Sequence, residues 1–428
     1  MGSDTSSRDD DLSAMTTEAA VRMGHNQGSE RLVRALAATT FLMWAGASSI
    51  LPFLPEYLRA RGASDSLVGI VMASYFVGAL AFQYPAGRIA DRFGRRPVLI
   101  GGLFVYAAGS FLFLAPVTPA FDVVLRALQG AGSGAAEVAS LAMVAATVDL
   151  RRRGRAFASI YGAQLAAMAI GPLFGSVLGH SRMDFIFAFA GAIAAVASLP
   201  ALLGGALGRF ATGAGEDIGG LPKFNRALTG SLFAAAALGL VIGVYESCWT
   251  LLLEVHHAHD WQIGVSWTLF AVPFVLAAKP GGWLVDHFDR RWLSVTALLL
   301  SVGFCCLYPF VGNLWLLLAL GGVEATWMAV GMPAAQSLLT QESAENELGR
   351  VQGLFSTSET AAIALAAGAG GALFGVVRWA PFVASAAGAA ALVACLPFIW
   401  WTVTGRAVHA DGAPRFESVS DFPKVPQA

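Results

Sequence analysis

The chain has 428 residues and a net charge of −1, with 56% hydrophobic and 13% charged residues. Because soluble domains carry about 25% charged residues, this composition excludes an ordinary soluble protein. The near-zero net charge, with no basic patch, argues against a nucleic-acid partner. The four cysteines lie inside apolar stretches. They form no disulfide framework and are interpreted as small apolar residues.

Apolar stretches of about 18 to 25 residues predict twelve membrane-spanning helices, numbered here as spans 1 to 12 in chain order. Spans 1 to 6 lie near 35–57, 67–86, 97–117, 121–148, 157–178 and 184–205. Spans 7 to 12 lie near 228–252, 263–283, 293–310, 314–338, 352–376 and 380–403. The predicted fold class is therefore an all-α membrane protein.

Polar segments divide the spans into two groups of six. Residues 1–33 are rich in Ser, Thr and Asp and are predicted to form a disordered cytoplasmic tail. The first six-helix bundle is assigned to 34–205 and the second to 228–403. A Gly-rich segment at 206–227 is predicted to be a flexible cytoplasmic connector, and 404–428 a second cytoplasmic tail.

The positive charges predict the orientation. Arginines cluster in loops that follow even-numbered spans, at 88–96 and 151–155, and are sparse in loops that follow odd-numbered spans. Because Lys and Arg accumulate in cytoplasmic loops, both termini are predicted to lie in the cytoplasm. The expected location is the inner (plasma) membrane, crossed many times.

The two halves repeat each other at an offset of 195 residues. The stretch PAGRIADRFGRR at 85–96 returns as PGGWLVDHFDRR at 280–291, with six identical positions. Each copy lies in a polar gap between apolar stretches. Two related bundles of membrane helices are the architecture of many secondary transporters.

Three motifs resemble those of a known family. The loop Gly87-x-x-x-Asp91-Arg92-x-Gly94-Arg95-Arg96 resembles the signature loop of the major facilitator superfamily, between its helices 2 and 3. On span 4, Arg126-x-x-Gln129-Gly130-x-Gly132 is similar to the second motif of the family's twelve-helix drug:proton antiporter branch. On span 5, Gly171-Pro172-x-x-Gly175-Ser176 resembles the antiporter motif, with Ala167 and Ser176 replacing two of its glycines.

The resemblance covers residues 33 to 403. It implies the major facilitator fold, with twelve transmembrane helices in two pseudo-symmetric six-helix bundles. The second copy of the loop departs from the pattern, because Asp289 stands where the motif has glycine. The first copy is therefore the better match.

The resemblance also implies a conformational latch at the cytoplasmic ends of the spans. Asp91 would meet the positive N-terminal end of span 11 near Arg350, and Asp286 would do the same toward span 5. The residues assigned to the latch are Gly87, Asp91, Arg92, Gly94, Arg95, Asp286, Arg290 and Arg350. The alternative is that the arginines only determine topology, which explains neither the aspartates nor the glycines.

A bend is predicted in span 5, where Gly171, Pro172 and Gly175 form the helix-bend motif. Proline frees a backbone carbonyl and glycine narrows the helix, so the kinked helix can pack tightly on a neighbour. In the family this helix contacts the other half, and its shape is thought to seal one side of the pathway. The alternative interpretation is an ordinary helix-packing site.

Ionisable side chains inside the spans are candidates for the mechanism, since each is costly in the membrane unless it faces a cavity or a partner. They are Arg126, Glu137, Glu246, Glu324 and Glu359. Arg126 and Glu137 are eleven residues apart and therefore share one face of span 4. That polar stripe on an apolar helix is typical of a pathway lining.

Glu324 and Glu359 lie near the predicted midplane, at repeat positions that hold Gln129 and Gln164 in the first half. A carboxylate removed from water binds a proton more readily, as a proton carrier requires. We predict that proton coupling depends on Glu359, Glu324, Arg126 and Glu137. The alternative is that each acid pairs permanently with a neighbouring group.

The predicted substrate site combines polar and aromatic side chains. Its candidate residues are Glu246, Gln129, Gln164, Trp249, Trp327 and Phe270. Aromatic side chains are also common in lipid contacts, which is the alternative for the three rings.

No metal site, cofactor or enzymatic activity is predicted. The stretch His256-His257-x-His259-Asp260 has a spacing that could bind a metal, but its position in an external loop favours a solvated segment. No phosphate-binding G-x-x-x-x-G-K-[ST] loop occurs, so ATP is not the direct energy source. The expected partners are a small-molecule substrate, protons and the lipid bilayer, and the chain is expected to be a monomer.

These patterns predict a proton-coupled secondary transporter that exports a hydrophobic or cationic small molecule by alternating access. One alternative is a proton-coupled importer or facilitator of a sugar or other metabolite on the same fold. Another is a membrane sensor that transports nothing. The embedded ionisable residues disfavour the sensor.

Overall fold

The computed structural model describes residues 5–116, 118–148, 150–200, 224–276, 278–341 and 348–403. The regular elements in these ranges are helices. Most of the predicted connector at 206–227 and all of the predicted tail at 404–428 lie outside the described residues.

The described residues of the first half form seven α-helices. They are α1 (Thr5–Ile50), α2 (Leu54–Ala60), α3 (Asp65–Phe93), α4 (Arg95–Leu112), α5 (Asp122–Thr147), α6 (Leu150–Leu178) and α7 (Met183–Ala197). Helices α1 and α3 to α7 correspond to spans 1 to 6. The short α2 follows α1 on one side of the bundle, and a bend of 40° separates the two.

The second half also contains seven α-helices. They are α8 (Arg226–Val255), α9 (Asp260–Leu276), α10 (Ala278–His287), α11 (Arg290–Leu307), α12 (Leu314–Gln341), α13 (Leu348–Val376) and α14 (Ala380–Ile399). Helices α9 and α10 together occupy span 8, and the others correspond to spans 7 and 9 to 12.

Eight helices in the described ranges are long and apolar enough to cross a membrane, and the bent pair of α1 and α2 makes a ninth. The other three predicted spans fall on α4, α5 and α9. Helix α5 contains Asp122, Arg126 and Glu137, and α9 is only 17 residues long. With these three, the helices account for the twelve predicted spans.

One boundary differs from the sequence-based expectation. The structure shows a helix from Thr5, whereas residues 1–33 are predicted to be disordered. The sequence of this stretch contains Ala, Glu, Arg and Met, which favour helix, so α1 continues beyond the apolar span.

The repeated loop is built differently in the two halves. Gly94 separates α3 from α4 with φ of 96°, a left-handed value that favours glycine. At the matching position Asp289 has φ of −66°, and its side chain caps α11 by accepting a 3.0 Å hydrogen bond from the Arg291 N–H. The aspartate that breaks the sequence motif therefore serves as a helix cap.

The halves pack together on one side of the molecule through glycines. A Cβ added to Gly69 of α3 would lie 2.8 Å from the backbone nitrogen of Gly371 on α13. A Cβ added to Gly264 of α9 would lie 2.8 Å from the carbonyl oxygen of Pro172 on α6. Only residues without a side chain allow these approaches. We call this side the closed face, and the opposite side, which holds the repeated loop, the motif face.

The buried apolar side chains follow the same division. At the closed face one cluster joins both halves, with Ile50 and Phe53 from the first and Leu251 and Leu252 from the second. Toward the motif face the clusters are separate. One contains Leu32, Leu36, Met143, Val144 and Ile160 of the first half, and the other Leu228, Leu339, Val351 and Phe355 of the second. The halves are thus joined at the closed face by a shared core.

Candidate functional site

A small cavity opens within the first half, among α1, α4, α5 and α6. Its polar lining includes Glu137 of α5 with Tyr161 and Gln164 of α6, and Trp44 of α1 supplies an aromatic wall. Glu137 makes no hydrogen bond or ion pair within the described residues. Its carboxyl group is therefore available to a ligand or a proton.

Glu359 of α13 approaches this region from the second half. The charges of Glu359 and Glu137 are near enough to interact, and Tyr161 is within electrostatic range of both. Within the described chain Glu359 also has neither a hydrogen-bond nor an ion-pair partner. Gly239 of α8 positions its backbone, because a Cβ there would collide with the Glu359 carbonyl oxygen. The structure thus brings together two predicted proton-coupling residues from different halves.

Arg126 lies deeper in the first half and is only 2% exposed. It donates a 2.8 Å hydrogen bond to Gln129, whose amide donates to the Ser110 hydroxyl at 2.9 Å. The guanidinium carbon is 4.6 Å from the centre of the Tyr75 ring, an arrangement in which a cation is attracted to an aromatic face. The predicted polar stripe on α5 is therefore a packed network at this end.

Glu246 of α8 faces Arg126 across the two halves. Their charges interact electrostatically, yet no ion pair within 4.0 Å joins them among the described residues. Arg126 Nε and Glu246 Oε2 are both buried without a hydrogen-bond partner in the described part of the chain. A buried polar atom without a hydrogen bond is costly. The gap between Arg126 and Glu246 therefore favours binding of a polar ligand, or a closer pairing of the two side chains in another conformation.

Glu324 of α12 is enclosed. Its side chain is fully buried and accepts hydrogen bonds from the hydroxyl groups of Tyr245, at 2.9 and 3.1 Å, and Tyr308, at 2.5 Å. All three residues belong to the second half. Of the two interpretations offered by the sequence, this environment favours a carboxylate held by permanent partners.

The three aromatic residues predicted for the substrate site lie in two different surroundings. Trp249 is fully buried, donates a 3.0 Å hydrogen bond to Ser266, and packs edge-on against Phe270 and Tyr308. These two predicted substrate residues, Trp249 and Phe270, belong to the shell around Glu324. Trp327 is 41% exposed on α12 and lies outside that shell.

The closed face holds an ion-pair network that the sequence did not predict. Arg59 of α2 contacts Asp65 of its own half at 2.6 Å and Glu254 of the other half at 3.0 Å. Its guanidinium also lies 5.7 Å from the ring centre of Phe374, in the second half. One arginine therefore links the halves in two places.

The latch residues are described only in part. The side chains of Asp91, Asp286 and Arg350 lie outside the described part of the structure. Arg92 is exposed beside Phe93, and Arg290 is buried and donates to the Val285 carbonyl at 3.2 Å. Arg95 lies in the first turn of α4, partly exposed, and a Cβ added to Gly87 would make only ordinary contact with Val138. The latch stays a prediction.

The helix-bend motif has two faces. Cβ atoms added to Gly171 or Gly175 would collide with α1 of the same half, at Ser48 and Ser49. The other half is contacted through Pro172 and Ser176, which lie against Gly264 of α9. The motif glycines therefore allow α6 to pack closely against α1 of its own bundle.

Several functional tyrosines were missed by reasoning from the sequence. Tyr245 and Tyr308 hold Glu324, Tyr75 stacks with Arg126, and Tyr161 lies near the facing carboxyl groups. The chain has only seven tyrosines. A phenol inside an apolar span is a signal, because its hydroxyl requires a partner when buried.

Comparison with known proteins decides the family. The model of the Major Facilitator Superfamily matches residues 36–207 and 227–426, which is most of the chain in two blocks. The chain belongs to the major facilitator superfamily. The two matched blocks correspond to the two halves of the structure, and the resemblance drawn from the motifs is confirmed. The protein is a multi-pass membrane transporter of small molecules.

Relatives identified by sequence are also membrane transport or drug resistance proteins by name. The inner membrane transport protein YajR of Escherichia coli is 27% identical over 82% of this chain and 78% of its own length. The tetracycline resistance protein, class H, of Pasteurella multocida is 25% identical over 73% of this chain and 82% of its own. The multidrug resistance protein MdtL of Klebsiella pneumoniae is 33% identical over 34% of this chain and 36% of its own.

Among solved structures, a bacterial homologue of the human lysosomal transporter Spinster, in an inward-facing and occupied conformation, matches with a TM-score of 0.68. The match has 13% identity and covers 86% of this chain and 94% of that one. A peptide transporter solved with sulfate matches with a TM-score of 0.71 and 15% identity, over 87% and 94%. These likenesses confirm the predicted fold of two pseudo-symmetric six-helix bundles.

Proposed function

We propose that this chain is a proton-coupled exporter of hydrophobic or cationic small molecules. The observation that supports this most is the pair of Glu137 and Glu359, one from each half, whose charges are near enough to interact and which have no hydrogen-bond or ion-pair partner in the described chain. Two like charges in surroundings of low dielectric repel, so a proton or a cationic substrate is favoured between them. That competition is what an exchanger of protons for a substrate requires.

The relatives support the substrate class. Two of them are named for resistance to drugs or to tetracycline, and the motif on α6 resembles that of the antiporter branch. Half of the residues that line the cavity beside Glu137 are apolar, Trp44 among them, which suits a molecule with a hydrophobic part. An acid in such a pocket favours a positive charge on that molecule.

We place the motif face in the cytoplasm, because its loops contain the clustered arginines. The halves then meet at the external side and the arrangement corresponds to an inward-open state. In the cycle we propose, substrate displaces a proton at Glu137 and Glu359, the halves rock, and the closed face separates to release the substrate. An external proton then binds and the carrier returns.

The first experiment measures ethidium efflux from cells that express the chain, with and without a protonophore. We expect efflux that requires the proton gradient and that is lost in Glu359→Gln, which removes the charge but keeps the shape. The matched control is Asp184→Asn, an exposed acid at the start of α7, and it should behave as the wild type.

The outcomes separate the parts of the proposal. Ethidium efflux that is unchanged by the protonophore would contradict proton coupling. Accumulation of ethidium in the cells in place of efflux would support the importer. Absence of flux for ethidium and for a panel of lipophilic cations would overturn the substrate class.

A further inference from the structure

A cluster of three potential metal ligands lies at the closed face, away from the transport site. It consists of Glu56 of α2, His180 in the turn between α6 and α7, and Asp260 at the start of α9. His180 Nδ1 lies 3.1 Å from Glu56 Oε1 and 3.2 Å from Asp260 Oδ1. The three ligand atoms all lie within 4.8 Å of one another.

The two distances from His180 Nδ1 are close to the spacing of neighbouring ligands around a tetrahedral metal ion. Zinc binds His nitrogen and carboxylate oxygen at about 2.0 to 2.2 Å, which places neighbouring ligand atoms of a tetrahedron about 3.3 to 3.5 Å apart. One nitrogen and two oxygens leave a fourth position for water. The side chains are between 25% and 36% exposed, so an ion can reach them from solvent.

The backbone and the second carboxylate oxygen of Asp260 prepare the site. The His180 backbone N–H donates to Asp260 Oδ2 at 3.2 Å, which orients the carboxylate and leaves Oδ1 toward the imidazole. Gly179 has φ of 72°, and a Cβ there would collide with the same carboxylate. Outer contacts of this kind hold metal ligands in the geometry that binding requires.

The charge around the cluster favours a cation. Glu56, Asp65, Glu254 and Asp260 place four carboxylates in this region against one guanidinium, Arg59, and one imidazole. Glu56 Oε2 and Glu254 Oε1 are buried without a hydrogen-bond partner within the described residues, and the two side chains interact electrostatically. A divalent ion would offset this surplus of negative charge.

The ligands come from both halves. Glu56 and His180 belong to the first, and Asp260 to the second. We propose that Glu56, His180 and Asp260 form a binding site for a divalent transition-metal ion such as Zn²⁺, which pins the closed face and inhibits the carrier. When the halves separate at this face, two ligands leave with one half and one with the other. The ion therefore binds the closed conformation more tightly and shifts the population toward it.

The first test is binding of Zn²⁺ alone to the purified full chain in detergent, measured by calorimetry. We expect one site per chain, and affinity at least about 100-fold weaker in His180→Ala and Asp260→Ala, because each removes a ligand and even the outer partners of ligands contribute about 10- to 100-fold. The matched control is His256→Ala with His259→Ala, in the neighbouring loop. Loss of binding in this control, with retention in His180→Ala, would overturn the proposal.

A second measurement does not depend on those variants folding. Co²⁺ bound to the wild-type chain should show the strong visible absorption of tetrahedral coordination, and Glu56→Gln should abolish it. A weak octahedral spectrum, or a spectrum unchanged in Glu56→Gln, would contradict this ligand set.

The pinning is tested by the distance between spin labels at Ser66→Cys on α3 and Arg378→Cys after α13, both exposed at the closed face. The exposed Cys306 and Cys395 are first replaced by serine. Zn²⁺ should narrow the distance distribution to its short component in the wild-type background and leave it unchanged with His180→Ala. A distribution that Zn²⁺ does not alter would overturn the pinning.

These readouts measure binding and conformation, so they stand apart from the proposed transport activity. A chain that binds Zn²⁺ as expected but exports nothing would overturn the proposed function alone.

Discussion

Embedded carboxyl groups have opposite surroundings in two regions of this transporter. Around Glu324, two tyrosine hydroxyls donate hydrogen bonds and the side chain is fully buried. Beside Glu137 a cavity opens, and neither Glu137 nor Glu359 has a hydrogen-bond or ion-pair partner among the described residues. The first region resembles a structural polar network, and the second has the freedom that a titrating site requires.

The contrast teaches that depth in the membrane does not by itself identify a coupling residue. Glu324 and Glu359 both lie well inside their spans, and each replaces an amide of the first half in the repeat. What separates them is the set of side chains around each one. Tyr245 and Tyr308 come from other helices, so only packing reveals them.

The largest effect expected is on proton-driven efflux. Glu359→Gln should reduce it at least about 100-fold, the lower end of what a positioned proton-transfer group contributes. Glu324→Gln should retain coupling, since the amide keeps an acceptor for the tyrosines and the side chain is fully buried. Efflux assayed against an imposed pH gradient in liposomes compares the two. Equal loss in both variants would break the comparison and return Glu324 to the coupling residues predicted from the sequence.

The next largest effect is expected on the equilibrium between the closed and separated arrangements of the halves at the closed face. Gly371→Leu should force α3 and α13 apart, because a Cβ there would already collide with the backbone of Asp65. Overpacking costs about 1 to 3 kcal/mol, which is about a five- to 150-fold shift away from the closed face. Gly303→Leu is the control, since nothing lies within 4 Å of a Cβ at that position. Spin-label distances across the closed face measure the shift, and identical distributions for the two variants would contradict this packing role.

A smaller effect is expected on stability. Tyr308→Phe removes a hydrogen bond to a fully buried carboxyl group and should lower the free energy of unfolding by about 1 to 3 kcal/mol. Tyr161→Phe, beside the unpartnered carboxyl groups and 38% exposed, should change it by less than about 0.5 kcal/mol. Denaturant unfolding in a mixed micelle measures both. A larger loss for Tyr161→Phe would reverse the assignment of the structural and titrating regions.

The smallest effect is expected on the stability that the Asp289 carboxylate contributes outside the membrane, where it pairs with Arg291. Hydrogen bonds from Arg291 hold the pKa of Asp289 below its ordinary value of 3.8. The ionised form is favoured in the folded state, so its contribution is complete above that value and is lost as pH falls through the lower folded pKa. Asp289→Ala should cost about 1 kcal/mol at neutral pH through loss of the helix cap.

Thermal unfolding of the wild type and Asp289→Ala at neutral pH and below pH 4 measures this prediction. The difference between the two proteins should shrink at the acidic end. A difference that is constant with pH would show that the cap does not depend on the charge.

Much of the fold was predictable from the sequence. Apolar stretches separated by polar loops set the positions of the spans, because a membrane helix must bury about 20 apolar residues. The repeat at 85–96 and 280–291 indicated two related halves, and the motifs of spans 2, 4 and 5 indicated the family that the comparisons then confirmed. These properties are local in the chain, so a sequence displays them directly.

The site was predictable only in its parts. The sequence identified Glu137, Glu324 and Glu359 as candidates but could not show which carboxyl groups are enclosed and which are open. It also placed Trp249 in a substrate site, where the structure shows a packed core. The substitution of Gly94 by Asp289 in the repeat was visible, but its change from a left-handed turn to a helix cap was not. The surroundings of the carboxyl groups and of Trp249 depend on neighbours that are distant in the chain, whereas the cap is a contact between Asp289 and the Arg291 N–H, two residues along the chain.

By itself, then, the sequence determined the helices, their division into two halves and the family, since each follows from hydrophobicity and short motifs along the chain. The tertiary structure alone decided which carboxyl groups are enclosed and which are open. It also decided that Glu56, His180 and Asp260 meet across the halves. Those contacts depend on how far apart the bundles sit at each face, and no local pattern encodes that distance.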